Sequence, residues 1–139
     1  MSNEVEAPVS GGCYCGSVRY RSAAVPIATV ICHCRSCRRL VGAQSVAWVT
    51  CARQDVHWSG DARREFESSP GIVRSFCARC GTSLTWSSAS QESTIDITAA
   101  SLDKPEAFAP DRETWIAHRL PWETVDARRQ LDEASEHPG

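Results

Sequence analysis

Seven of the eight cysteines in this chain fall into three tight groups, and the eighth, Cys51, stands alone. In chain order the groups read C-x-C, C-H-C-x-x-C and C-x-x-C, and their members are Cys13 and Cys15, then Cys32, Cys34 and Cys37, then Cys77 and Cys80. Thiolates gathered at such spacings chelate soft or borderline metals, above all zinc. The sequence therefore predicts a zinc-binding protein.

The number of sulfurs in each group separates a structural zinc from a reactive one. Four thiolates complete a closed tetrahedral site, whereas three protein ligands leave one position open. The two outer groups together supply four, which predicts a structural zinc on Cys13, Cys15, Cys77 and Cys80. The central group supplies three, which predicts a second, exchangeable zinc on Cys32, Cys34 and Cys37.

The charge of the central site indicates what its open position accepts. Three thiolates and Zn²⁺ leave one net negative charge, which makes the metal a poor Lewis acid for ionising water. Such a site is better suited to a soft fourth ligand, for example the thiolate of a substrate. The candidate catalytic residues are therefore Cys32, Cys34 and Cys37, and thiol capture is favoured over hydrolysis.

The side chains around the central group leave two interpretations open. His33 lies between Cys32 and Cys34. In an extended segment it points away from both, so a packed or solvated imidazole is favoured over a metal ligand. The arginines that follow either steer an anionic thiol such as glutathione or form a solvated basic face; they are Arg35, Arg38 and Arg39. Core packing is predicted for Trp48, Trp86 and Cys51.

Short apolar or alternating runs, bounded by glycine and proline, dominate the rest of the sequence and predict strands. The clearest runs are residues 17–22, 27–32, 72–76 and 94–98, and a final strand is expected at 115–118. One short helical turn is expected at 35–40, carrying Cys37 and ended by Gly42. The chain is therefore predicted to be a small, mainly β domain of short antiparallel strands, stapled by zinc.

Composition and charge exclude several classes of function. The 139 residues suit one domain, and a net charge of −2 gives no field for nucleic acid. No apolar run approaches the roughly 20 residues that a membrane span needs. The first ten residues are polar and acidic, unlike a signal peptide. We therefore expect a cytoplasmic protein whose thiols stay reduced, with neither nucleic acid nor membrane as a partner.

The order C-x-C-G, C-H-C-x-x-C and C-x-x-C-G resembles the glutathione-dependent formaldehyde-activating enzyme family, also called the centromere protein V family. The likeness spans roughly residues 11–122, which are expected to form the zinc-binding domain. Residues 1–10 are then a flexible leader, and residues 123–139 a polar helix or tail. The resemblance implies a fold of coiled β-sheets and the two zinc sites described above. It also implies a carbon–sulfur lyase that joins glutathione and formaldehyde into S-hydroxymethylglutathione.

Two further functions are compatible with the same residues. One is a non-enzymatic zinc module that binds a protein partner. The other is a thiol redox or metal-sensing protein, in which Cys34 and Cys37 form a disulfide when zinc leaves. A buried or four-coordinate second site favours the partner-binding module, whereas an open, solvent-lined site favours the enzyme.

Overall fold

A computed structural model describes residues 8–134, and in this part of the chain strands far outnumber helices. The strands are β1 Val9–Gly12, β2 Arg19–Ser22, β3 Ala28–Cys32, β4 Val46–Ala52, β5 Val56–Ser59, β6 Arg63–Ser69, β7 Ile72–Cys77, β8 Ser83–Ser88, β9 Thr94–Thr98, β10 Arg112–Thr114 and β11 Gln130–Leu131. The α-helix is α1 Arg35–Val41, and the short 3₁₀ turns are Arg53–Asp55, Ala99–Ser101, Pro105–Ala107 and Ile116–His118. The prediction of a mainly β fold is confirmed.

The strands form two sheets. The smaller has the order β1-β2-β5, and the larger has the order β11-β10-β3-β4-β9-β8-β7-β6. Neighbouring strands pair antiparallel, except that β10 runs parallel to both β3 and β11. In the described part of the chain, no helix is both long and apolar enough to cross a lipid bilayer.

The two faces of the larger sheet differ in what they contact. Successive side chains of a strand point to opposite faces. One face presents Val49 of β4 and Ile97 of β9, which are fully buried against Val9 and Tyr20 of the smaller sheet. Cys51 lies in this core and is 1% exposed, as predicted for a small buried hydrophobe. The opposite face therefore remains available for the candidate site.

Helix α1 begins and ends as its sequence predicts. The sulfur of Cys34 accepts a hydrogen bond from the backbone N–H of Cys37 at 3.2 Å, so this side chain caps the helix. Gly42 ends the helix in the left-handed conformation, with φ of 77°, and its N–H donates to the carbonyl of Arg38. The short helix thus holds Cys34 and Cys37 in one rigid turn.

The structure corrects or extends three predictions made for the two ends of the chain and for the last predicted strand. The strand expected at residues 115–118 is wrong, because Trp115 takes a positive φ of 56° that ends the extended run. The strand lies just before it, in β10. The predicted leader lies mostly in residues 1–7, outside the described residues, but Val9 and Ser10 belong to β1. The segment after residue 122 contributes the short strand β11.

Candidate metal centres

The four outer cysteines meet between the two sheets. The β1–β2 turn carries Cys13 and Cys15, and the β7–β8 turn carries Cys77 and Cys80; the four sulfurs lie within 4.8 Å of one another. The Sγ atoms of Cys13 and Cys15 are 3.6 Å apart, and those of Cys15 and Cys77 are 3.8 Å apart. A tetrahedral zinc with Zn–S bonds of about 2.3 Å separates its sulfurs by about 3.8 Å. The cluster therefore fits a four-sulfur zinc site.

Both turns are built alike. Each ends with a glycine directly after its second cysteine, Gly16 with φ of 82° and Gly81 with φ of 84°. A Cβ at either position would meet nothing within 4 Å, so the left-handed backbone is the reason for glycine. Backbone N–H groups point at the first sulfur of each turn, from Val18 to Cys13 at 3.2 Å and from Cys80 to Cys77 at 3.4 Å. These donors stabilise thiolates, the form that binds a metal.

One hydroxyl group lies against the second sulfur of each turn. Hydrogen bonding to Thr82, whose hydroxyl oxygen is 3.2 Å from the sulfur, lowers the pKa of Cys80 to about 5. Hydrogen bonding to Ser17 likewise lowers the pKa of Cys15. Thr82 also accepts a hydrogen bond from the backbone N–H of Tyr14 at 3.0 Å, which links the two turns directly.

The central cysteines form a second, recessed cluster at the junction of β3 and α1. The sulfurs of Cys32, Cys34 and Cys37 lie within 4.8 Å of one another, and none of the three residues is more than 7% exposed. Hydrogen bonding with Cys34 raises the pKa of Cys32, whereas hydrogen bonding with Cys32 and Cys34 lowers the pKa of Cys37 to about 3. The cluster therefore favours a thiolate at Cys37 and carries negative charge.

A buried arginine balances that charge. Arg74 of β7 is 3% exposed, and its Nη2 donates to the sulfur of Cys37 across 3.6 Å, while its Nε donates to Ser68 at 3.1 Å. Among residues 8–134, the ion pairs within 4.0 Å include none that gives Arg74 a carboxylate partner. Burying a guanidinium without a counter-charge is costly. Three thiolates with Zn²⁺ supply one negative charge, so this surrounding fits a zinc bound by three cysteines.

His33 supports the cluster from behind. Its Nε2 lies 2.7 Å from Oε1 of Glu113, and both side chains are buried. The other carboxylate oxygen of Glu113 accepts hydrogen bonds from Arg129 at 3.1 Å and from the backbone N–H of Asp126 at 2.9 Å. The sequence left a packed or a solvated imidazole open, and the structure has the packed one. This chain of contacts ties the cluster loop to β10 and to the segment before β11.

The arginines after the cluster divide into two kinds. Arg38 holds the loop, because its Nε donates to the carbonyl of His33 and its Nη2 to the carbonyl of His118, each at 3.2 Å. Arg35 and Arg39 are exposed and line a surface cavity of about 580 Å³ together with Trp122. These two guanidiniums are available to an anion in solution.

A second recess opens beside the central cluster. The cavity has a volume of about 480 Å³, which lies in the roughly 300–1,000 Å³ range of small-molecule pockets. Its floor includes Cys32 and Cys37, and its walls include Trp48 and Trp86, which are buried as predicted but also face this cavity. Asp96 of β9 lies in the wall as well, and its Oδ1 accepts a hydrogen bond from Thr50 at 2.7 Å.

We predict that losing one outer ligand unfolds the protein more readily, because the outer cluster ties a turn of the smaller sheet to a turn of the larger sheet. Cys80→Ala should lower the free energy of unfolding by about 4 kcal/mol or more, measured by chemical denaturation of zinc-loaded protein. Arg79→Ala, an exposed residue in the same turn, is the matched control and should change it little. Equal stability of Cys80→Ala and the unaltered protein would contradict the structural role.

We also predict that Arg74 sets the metal affinity of the central cluster. Arg74→Gln removes the buried positive charge, so zinc affinity there should fall about 10–100-fold, as for other groups that support metal ligands. Competition with a chromophoric chelator measures the release of each zinc. Arg64→Gln changes an exposed arginine and should leave both affinities unchanged. Identical release curves for the two variants would refute the role of Arg74.

Comparison with known proteins agrees with this geometry. The profile of the family described as glutathione-dependent formaldehyde-activating enzyme matches residues 8–118, which include all three cysteine groups. The crystal structure of a Rhodobacter sphaeroides protein shares the fold, with a TM-score of 0.57 and 20% identity over 68% of this chain and 87% of that chain. No curated protein sequence matches significantly. The family match confirms the resemblance noted in the sequence, and the chain belongs to the glutathione-dependent formaldehyde-activating enzyme family.

Proposed function

We propose that this protein is a zinc-dependent carbon–sulfur lyase that joins a glutathione-like thiol to a small aldehyde such as formaldehyde. The product is the S-hydroxymethyl adduct. The observation that carries the proposal is the position of Cys32 and Cys37 on the floor of a cavity sized for a small molecule. We assign this activity to residues 11–122, and its need for reduced thiols suits the cytoplasm.

The two groups of metal ligands have different proposed roles. We propose a structural zinc on Cys13, Cys15, Cys77 and Cys80 and an exchangeable zinc on Cys32, Cys34 and Cys37. When bound at the second site, zinc supplies a positive charge that stabilises a substrate thiolate near neutral pH. The three cysteines fix the place of that charge at the cavity floor, and Arg74 offsets the surplus negative charge of the sulfurs.

The cavity can bring the thiol and the aldehyde close together. Trp48 and Trp86 line the cavity beside Cys32 and Cys37, where the sulfur and the carbonyl carbon must meet. Holding two reactants together in the right orientation removes much of the entropic part of the barrier. The exposed guanidiniums of Arg35 and Arg39 favour an anionic thiol such as glutathione through their charge.

The competing functions agree less well with the position of the central cluster. The three cysteines are buried, which alone favours a partner module, but Cys32 and Cys37 line a cavity of about 480 Å³ that can admit a small molecule. A partner-binding zinc module is therefore disfavoured. A redox or metal-sensing role remains the second candidate, because Cys34 and Cys37 lie in one helical turn. Zinc retention under mild oxidation separates that role from the enzyme.

We predict that the zinc-loaded protein forms S-hydroxymethylglutathione from glutathione and formaldehyde faster than the uncatalysed reaction. Cys34→Ser should abolish the acceleration and leave the fold intact, because serine preserves the helix cap but is not a soft ligand. Cys51→Ala, on the opposite face of the sheet, is the control that retains activity. No acceleration with several thiols and aldehydes, despite zinc at both sites, would overturn the proposed function.

A further inference from the structure

The cavity beside the central cluster contains a carboxylate that neither the metal sites nor the core requires. Asp96 lies in the middle of β9, paired across the sheet with Thr50 of β4 and Trp86 of β8. It lines the cavity together with Trp48, Trp86 and Trp115, and Cys32 and Cys37 line the same space. A carboxylate in the interior of a central strand is unfavourable unless something compensates for it.

The groups that face Asp96 do not neutralise it. Thr50 donates one hydrogen bond to Oδ1, and Trp86 is uncharged. The other titratable or charged groups lining the cavity are Cys32, Cys37, Arg112 and Asp132. Arg112 is already engaged, since its guanidinium lies 3.5 Å from the carboxylate of Asp132 and donates to Gln130 at 3.1 Å. In the described part of the chain, no ion pair within 4.0 Å includes Asp96.

The proposed reaction requires a group that can handle one proton. The thiol must lose its proton as the carbon–sulfur bond forms, and the aldehyde oxygen must gain one as the carbonyl π bond breaks. We propose that Asp96 performs this transfer, taking the proton from the thiol and returning it to the oxygen of the S-hydroxymethyl product. This inference rests on the proposed function and adds the proton-transfer residue to it.

The step balances without another reactant. The carboxylate of Asp96 accepts the thiol proton, and the sulfur lone pair forms the bond to carbon while the π electrons move to oxygen. The neutral carboxyl group then donates the same proton to that oxygen, which restores the carboxylate. Thr50 donates its hydrogen bond to Oδ1 of Asp96. The other carboxylate oxygen, Oδ2, is therefore the atom that exchanges the proton.

The acidity of Asp96 suits the task. Burial raises its pKa from 3.8 to about 6, which is closer to neutral pH and therefore favours proton transfer in both directions. Because the folded-state pKa is raised, the folded state binds more protons than the unfolded state between these values. This contribution to stability is therefore lost as the pH rises through about 6.

Asp96→Asn tests the proposal, with Asp132→Asn as the control that removes a charge from the same cavity. Asparagine can still accept the hydrogen bond of Thr50, so Asp96→Asn should fold and should lose the stability change between pH 3.8 and about 6. Adduct formation should fall about a hundredfold or more. The rise in kcat/KM of the unaltered protein through about pH 6 should disappear in Asp96→Asn and persist in Asp132→Asn.

A proton count separates this inference from the function it rests on. Zinc-loaded protein is titrated with glutathione alone in two buffers of different ionisation enthalpy, at about pH 7, where Asp96 is ionised and the free thiol is protonated. Asp96→Asn should release about one proton per thiol bound. The unaltered protein should release distinctly less, because the negative charge of the bound thiolate raises the pKa of Asp96 further and lets it keep part of that proton. Equal proton release, or an adduct rate within twofold, overturns the role of Asp96 alone. A complete absence of glutathione binding overturns the proposed function and this inference with it.

Discussion

Seven cysteine sulfurs gathered into two clusters would, as metal-binding thiolates, concentrate negative charge that a cation must neutralise. Sulfurs 3.6 and 3.8 Å apart in the outer cluster repel one another as thiolates unless a cation lies between them. The central cluster places the guanidinium of Arg74 against Cys37 and buries both. A metal bound by the outer cluster would therefore couple to folding, because its four cysteines join two turns that are distant in sequence.

The two faces of the larger sheet explain how a small protein can contain both a core and a reactive site. One face packs Val49 and Ile97 against the smaller sheet, and these side chains belong to one hydrophobic core cluster. The other face does not pack against the smaller sheet, and its residues Cys32, Trp48 and Asp96 line the cavity. Because successive side chains of a strand point to opposite faces, neighbouring residues of one strand can contribute to the core and to the candidate site.

The sequence predicted what local spacing determines. The central cluster, the helix that carries Cys37 and its end at Gly42 follow from residues close together in the chain, and the outer cluster follows from adding the sulfurs of two such local pairs. The supporting groups could not be found in this way. Arg74 lies 37 residues from Cys37, and Glu113 lies 80 residues from His33, so only the folded topology brings each pair together. Likewise, alternation predicted the strand at 94–98, but it could not show that Asp96 faces a cavity instead of solvent.

X-ray absorption at the zinc edge tests the central claim, that one cluster is closed and the other keeps an exchangeable position. The protein loaded with two zinc ions should show, at about 2.3 Å, an average of between three and four sulfurs per zinc. Addition of glutathione should raise that average to four, because the thiol sulfur enters the open position. Four sulfurs per zinc before any thiol is added, or an average that glutathione does not change, would contradict the account.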